Sequence, residues 1–294
     1  MSNSSAALRR KIDSAGELRS VVRTMKAVAS SSIVQYERSV AALADYYRTV
    51  ERGLVACLRQ TGLVPAAGES QAAARSAHID AIVFGSDQGL VGQFNDAIAD
   101  HAIGALAAVS GAVRVWAVGE RVQAQLADRK QATSAVFTVP ASVSAITALV
   151  AQILLKTDVA GTPARGAELY LFYNRPTLGA IYTPTTQRLL PLDAAWRRKL
   201  ALRHWPSPNL PQVLGAGTAT LQALIGEYLF VSLFRACAES LASENASRLA
   251  AMQRAEKNIN ELLDTMNVAF HRQRQSAIDE ELFDVVAGFE ALSR

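Results

Sequence analysis

All nine prolines of this 294-residue chain lie between Pro65 and Pro211. Proline removes a backbone donor and clashes inside a helix. Two long proline-free arms around a proline-bearing middle predict two long helices flanking an inserted module.

Periodicity agrees. In the first arm Ile33, Val40, Tyr47 and Leu54 recur every seven residues, and Tyr36, Leu43, Val50 and Cys57 form a second row three positions on. That is a heptad seam. Upstream, Leu18, Val21, Met25 and Val28 suggest a similar stripe, with a phase slip before Ile33 at Ser30–Ser32. In the last arm Met252, Ile259 and Met266 form one row, and Ala255, Leu262 and Ala269 the other. An apolar stripe of Ile278, Leu282, Val285, Phe289 and Leu292 continues nearly to the end. Helices this long need tertiary support, and each arm carries one main stripe. Pairing them gives an antiparallel coiled coil of N- and C-terminal helices.

The middle reads as α/β. His78–Phe84, Val113–Gly119 and Ala167–Arg175 are apolar runs with strand character, and helical stretches separate them. Ala180–Leu192 carries proline and reads as an edge strand. Strand–helix alternation predicts a partly parallel, doubly wound, Rossmann-like sheet. The predicted segments are a helix over 1–62, a linker over 63–76, an α/β domain over 77–203, a return loop over 204–217 and a helix over 218–294.

Composition narrows the function classes. Half the residues are apolar but aromatics are only 6%, so the core is built from Ala, Val, Leu and Ile. A net charge of +4, with no dense basic run carrying aromatics, does not point to nucleic acid. Cys57 and Cys237 belong to no C-x-x-C pair and read as buried small residues of a reducing compartment. The N-terminus lacks a signal-peptide core. No run of about 18 apolar residues is evident, so no direct membrane span is expected.

The glycine loop "GSDQGLVGQFN", Gly85–Asn95, follows the first strand where a phosphate cradle would lie. A dinucleotide fingerprint is G-x-G-x-x-G. The spacing here is Gly85-x-x-x-Gly89-x-x-Gly92, no P-loop lysine follows, and Asp87 puts negative charge where phosphate would sit. A tight strand-to-helix turn is the favoured reading. His78, His101, His204 and His271 show no metal-ligand spacing. Glu280, Glu281 and Asp284 have the spacing of a solvated helix face. No catalytic residue, metal site or cofactor site is expected.

Three stretches then carry a family resemblance. The C-terminal "LASENASRLAAMQRAEKNINELL" and "RQSAIDEELFDVVAG" resemble the gamma subunit of F-type rotary ATP synthases. The opening "LRRKIDSAGELRSVVRTMKAVASSS" looks like that family's first helix, and "SDQGLVGQFN" is similar to its S-D-R-G-L-C-G-x-x-N. The resemblance covers essentially the whole chain.

It implies a non-catalytic central shaft coupling proton or sodium flow to ATP synthesis or hydrolysis on beta subunits. The implied partners are the alpha and beta subunits of the catalytic head, the epsilon subunit and the membrane c-ring. The implied place is the cytoplasmic face of the cell membrane. Matching the motifs position by position gives Met25, Lys26, Gln88, Gly89, Val91, Arg248, Arg274, Gln275, Glu281 and Leu282 as candidate subunit contacts. Departures are Gln88 and Val91 in the loop, Val22–Met25 and Ser32 in the first helix, and Asp279 near the end. They suggest a divergent, alternate branch. The competing readings are a nucleotide-binding α/β protein using the Gly85 loop and a non-rotary coiled-coil scaffold.

Overall fold

A computed structural model describes residues 2–60, 78–109, 111–157, 167–192, 194–202, 205, 207, 209, 211–214 and 217–292. The expected linker over 63–76 lies outside these residues, as do His204 and much of the return loop. The chain divides into two compact bodies. One comprises Met1–Ser30 with Arg248–Arg294, the other Ser31–Ser247. Two helices enter both: α1 (Ser2–Gln60) and one we label α6 (Gly217–Leu292) after its place in the chain.

In the first body α1 and α6 run antiparallel. Arg19 meets Asn260, and Arg23 meets Glu256. The seam is Ala15, Val22, Met252, Ile259 and Leu263, flanked by Ile12, Met25, Ala255 and Met266. This corrects the upstream stripe: Leu18, Val21 and Val28 are each more than half exposed. The buried row is instead Ala15, Val22 and Ala29, whose seven-residue spacing continues without a slip through Tyr36, Leu43, Val50 and Cys57. Small side chains hold the seam because they let helices approach closely. On α6 the expected Leu262 is exposed and Leu263 takes its place.

The second body holds a five-stranded sheet. Its strands are β1 (His78–Phe84), β2 (Val113–Val118), β3 (Ala135–Phe137), β4 (Ala167–Thr177) and β5 (Ala180–Leu190), ordered β3-β2-β1-β4-β5. The pairs among β3, β2, β1 and β4 are parallel, and β5 closes the edge antiparallel to β4. This is the Rossmann-like arrangement expected, with β3 an addition that three residues could not announce. Between strands run α2 (Phe94–Ala107), α3 (Glu120–Asp128) and α4 (Val143–Lys156), and α5 (Ala194–Ala201) follows β5.

Alternation along the strands sends side chains to two cores. Ala81, Val83, Val115, Ala117 and Phe172 pack with α2 and α3. Ile82, Phe84, Trp116, Leu169, Leu171 and Tyr173 face the other way, into a cluster with α4, Leu54 and Val55 of α1, and Leu229, Leu233 and Leu241 of α6. Judged by length and composition, α6 between Ala219 and Val286 does contain a window apolar enough to cross a membrane, half of it buried within the protein. The expectation that no such run exists is therefore corrected. Much of this apolar surface, from Tyr228 to Ala242, belongs to the sheet-facing core. In the centre of β1, Asp80 is fully buried. It accepts two hydrogen bonds from Arg114 (2.9 and 2.7 Å) and one from the Trp116 indole (2.8 Å).

Candidate functional site

The turn after β1 is built from its own side chains. Gly85 donates its N–H to Val118 O (2.8 Å), and a Cβ there would lie 2.3 Å from Val122 Cβ. Only glycine admits α3 this close. Ser86 N donates to Asn95 Oδ1 (2.9 Å), Asn95 Nδ2 donates to Ser86 Oγ (2.8 Å), and Ser86 Oγ donates to Gln88 O (2.9 Å). Gly119 has φ +114°, and a Cβ there would lie 2.7 Å from Ser86 O.

Asp87 ties the turn to α3 and to Val139. Its Oδ1 accepts the N–H of Glu120, first residue of α3, at 2.9 Å, and its Oδ2 accepts that of Val139 at 2.8 Å. A helix N-terminus attracts anions through free N–H groups. Here the protein supplies the anion itself. The N–H groups of Ser86, Glu120 and Val139 are committed to Asn95 and Asp87, which favours the tight-turn reading over a cradle.

Gln88, Gly89 and Leu90 form the outer face of this turn. Gln88 is exposed, and Gly89 has open space, with Arg121 Nη2 nearest at 3.9 Å from a built Cβ. Leu90 is 61% exposed and sits at φ +62°. Val91, a candidate subunit contact, is buried, and its carbonyl accepts a hydrogen bond from the Ser247 hydroxyl at 2.5 Å. Leu90 is the exposed apolar residue that motif matching passed over.

The other candidates belong to the helix pair. Met25 is half-buried beside the seam. Lys26 Nζ donates to Glu256 Oε2 at 2.5 Å, while Arg23 Nε donates to Oε1 of the same carboxylate at 2.8 Å. Hydrogen bonds from Lys26 and Arg23 hold the Glu256 carboxyl below its ordinary value. The Glu256 side chain is only 15% exposed. Its position four residues after Met252 and three before Ile259 was the available signal. Arg248 is half-buried and makes contacts within the chain.

Arg274, Gln275 and Glu281 are exposed, and Leu282 is 60% exposed. Around Leu282, the side chains of Ile278, Phe283, Val285, Val286 and Phe289 are also largely exposed. The ten candidates thus form two groups, Gln88, Gly89 and Val91 in one body and the remaining seven in the other.

Among the described residues no three His, Cys, Asp or Glu side chains converge as a metal site. His101 instead shares a hydrogen bond with Thr186 Oγ1 at 2.8 Å. Burial pushes both cysteine thiols up, which disfavours the reactive thiolate.

Two long terminal helices that pair antiparallel, around an inserted α/β sheet whose Gly85–Asn95 turn is closed by its own side chains, define the class of fold. The sequence family described as ATP synthase matches residues 4–292, and the chain belongs to that family. It is 28% identical to the ATP synthase gamma chain of Arthrobacter sp. (strain FB24) over 297 residues, 97% of each chain. It is 36% identical to that of Syntrophus aciditrophicus over 132 residues, 43% of each. Its fold resembles a chain of the Euglena gracilis mitochondrial ATP synthase rotor, with a TM-score of 0.63 and 17% identity, covering 95% of this chain and all of that one. As a gamma chain it is a non-catalytic rotor subunit, and catalysis resides on the beta subunits of the complex.

Proposed function

We propose that the α1–α6 pair turns inside a ring of alpha and beta subunits and that the α/β module stands on a membrane c-ring beside an epsilon subunit. Ion flow, of H+ or Na+, turns the c-ring. The asymmetric shaft then biases two-state elements of the three beta subunits in succession.

The observation that carries this reading is the apolar face on the last turns of α6. Ile278, Leu282, Val285 and Phe289 recur every three or four residues and so share one side of the helix. Each is more than half exposed in the chain alone. Exposed apolar surface of this kind marks an interaction site, and a sleeve formed by a subunit ring suits a helix end.

Met25, Lys26, Arg248, Arg274, Gln275, Glu281 and Leu282 are proposed head contacts, and Gln88, Gly89 and Val91 mark a second contact region. At that second region Val91 acts through its backbone position, with Leu90 supplying the apolar surface. The segments 1–62, 63–76, 77–203, 204–217 and 218–294 are proposed as shaft, linker, foot, return and shaft. The complex is placed on the cytoplasmic face of the cell membrane, and the altered motif positions mark an alternate branch.

Mixing the purified chain with its cognate alpha and beta subunits tests this. A stable complex with ATPase activity is expected. Failure to assemble, with all three partners folded, contradicts it. Micromolar nucleotide binding by the chain alone would instead favour a nucleotide-binding role.

A further inference from the structure

The seam of the first body carries an unresolved choice. Its α1 row is Ala15, Val22 and Ala29, and its α6 row is Met252, Ile259 and Leu263. Alanine makes a shallow knob. Sliding α6 by one heptad replaces Met252 by Ile259 and Ile259 by Met266, so apolar residues still meet apolar residues. Such weakly specified seams take their register from polar positions.

We propose that Glu256 is the positioning residue that fixes the axial register of the α1 and α6 segments within the first body. It lies beside the seam, 15% exposed, and binds two cations of α1 at once, Arg23 at 2.8 Å and Lys26 at 2.5 Å. One turn along, Arg19 Nη1 reaches Asn260 Oδ1 at 3.5 Å in the same register. A slip by one turn brings Met252 or Asn260 into the place of Glu256, and a slip by one heptad brings Leu249 or Leu263. None carries negative charge. Each of these four slipped pairings leaves Arg23 and Lys26 without their carboxylate.

The net stability of a partly exposed ion pair is small. Specificity is a difference between alternatives, however, and a contact absent from all competitors is what discriminates. For the rotor role proposed above, on which the functional meaning of this device rests, register matters directly. A one-turn slip displaces the exposed face at 278–289 by about 5 Å along the shaft.

The test uses the full chain alone, so its outcome is independent of assembly with other subunits. Spin labels are placed on Ser14→Cys and Arg254→Cys, both exposed positions within this body. The native Cys57 and Cys237 are buried. The parent is expected to give one narrow distance. Glu256→Lys is expected to add a population shifted by about one helical turn, roughly 5 Å. Combining it with Arg23→Glu and Lys26→Glu restores the narrow parent distance, which a purely destabilising effect would not do. A single parent distance in Glu256→Lys, or no restoration by the swapped charges, overturns the proposal. If Glu256→Lys does not fold, Glu256→Gln is read instead. A broadened distribution supports the proposal, and the parent width overturns it.

Discussion

The hydroxyl of Ser247 on α6 donates to the carbonyl of Val91 at 2.5 Å, tying the turn after β1 to a helix 156 residues away in sequence. Both groups are buried. The turn is thereby fastened on two sides, by Ser247 and by Asp87, while Gln88 and Leu90 remain outside. Replacing Ser247 by Ala leaves the Val91 carbonyl only the long bond from the Phe94 N–H, at 3.4 Å, and costs about 0.5–1.5 kcal/mol. Denaturant unfolding of the full chain measures it.

Glycine positions offer a paired comparison. Gly85→Ala forces a methyl to 2.3 Å from Val122 Cβ, and overpacking of this kind costs about 1–3 kcal/mol or more. Gly104 lies inside α2 with nothing within 4 Å of a built Cβ. Gly104→Ala is therefore expected to stabilise by about 0.5–1 kcal/mol. Opposite shifts in the unfolding midpoint are the predicted result.

Asp80 carries the buried charge of β1. Asp80→Ala strips Arg114 and the Trp116 indole of their shared acceptor at the sheet centre. Arg114 is 41% exposed and regains water, so the cost is that of the buried indole left without its acceptor, about 1–3 kcal/mol. Asp80→Asn keeps an acceptor for the indole and is expected to lose less. Thermal unfolding of both variants at neutral pH ranks them.

Acid sensitivity follows from Glu256. Its folded-state value is lowered by Lys26 and Arg23. The ionised form is therefore favoured by folding, and its stabilisation is fully present above the ordinary carboxylate value of about 4.3. It is lost as pH falls through the lower folded value. The difference in melting temperature between the parent and Glu256→Gln should accordingly narrow below about pH 4. A constant difference down to acid pH counts against the ion-pair origin.

The sheet was legible because its runs are short, apolar and punctuated, as at His78–Phe84 and Val113–Val118. The coiled-coil seam was half legible. Leu18, Val21 and Val28 attracted attention by hydrophobicity, yet close helix approach selects Ala15 and Ala29 for the inside. Likewise Leu262 and Leu263 are adjacent, and only packing decides between them. The tasks of Asp87 were not legible, because its partners Glu120 and Val139 are 33 and 52 residues away. The Lys26–Glu256 pair spans 230 residues and depends on a register that only the folded helices define.

At the end of α6, Leu282→Asp with Phe289→Asp alters exposed positions. The chain's own stability is expected to change by no more than about 0.5 kcal/mol. Its affinity for the alpha–beta ring is expected to fall, read as loss of co-elution. Unchanged co-elution contradicts a buried apolar sleeve there.

Rotation itself is the most direct measurement. A probe attached through Leu178→Cys, at the exposed β4–β5 turn, reports movement of the α/β module in a complex immobilised by its alpha and beta subunits. With ATP present, the probe is predicted to turn in one direction and to stop when ATP is withdrawn. ATP hydrolysis by that complex while the probe stays still would contradict a rotary shaft.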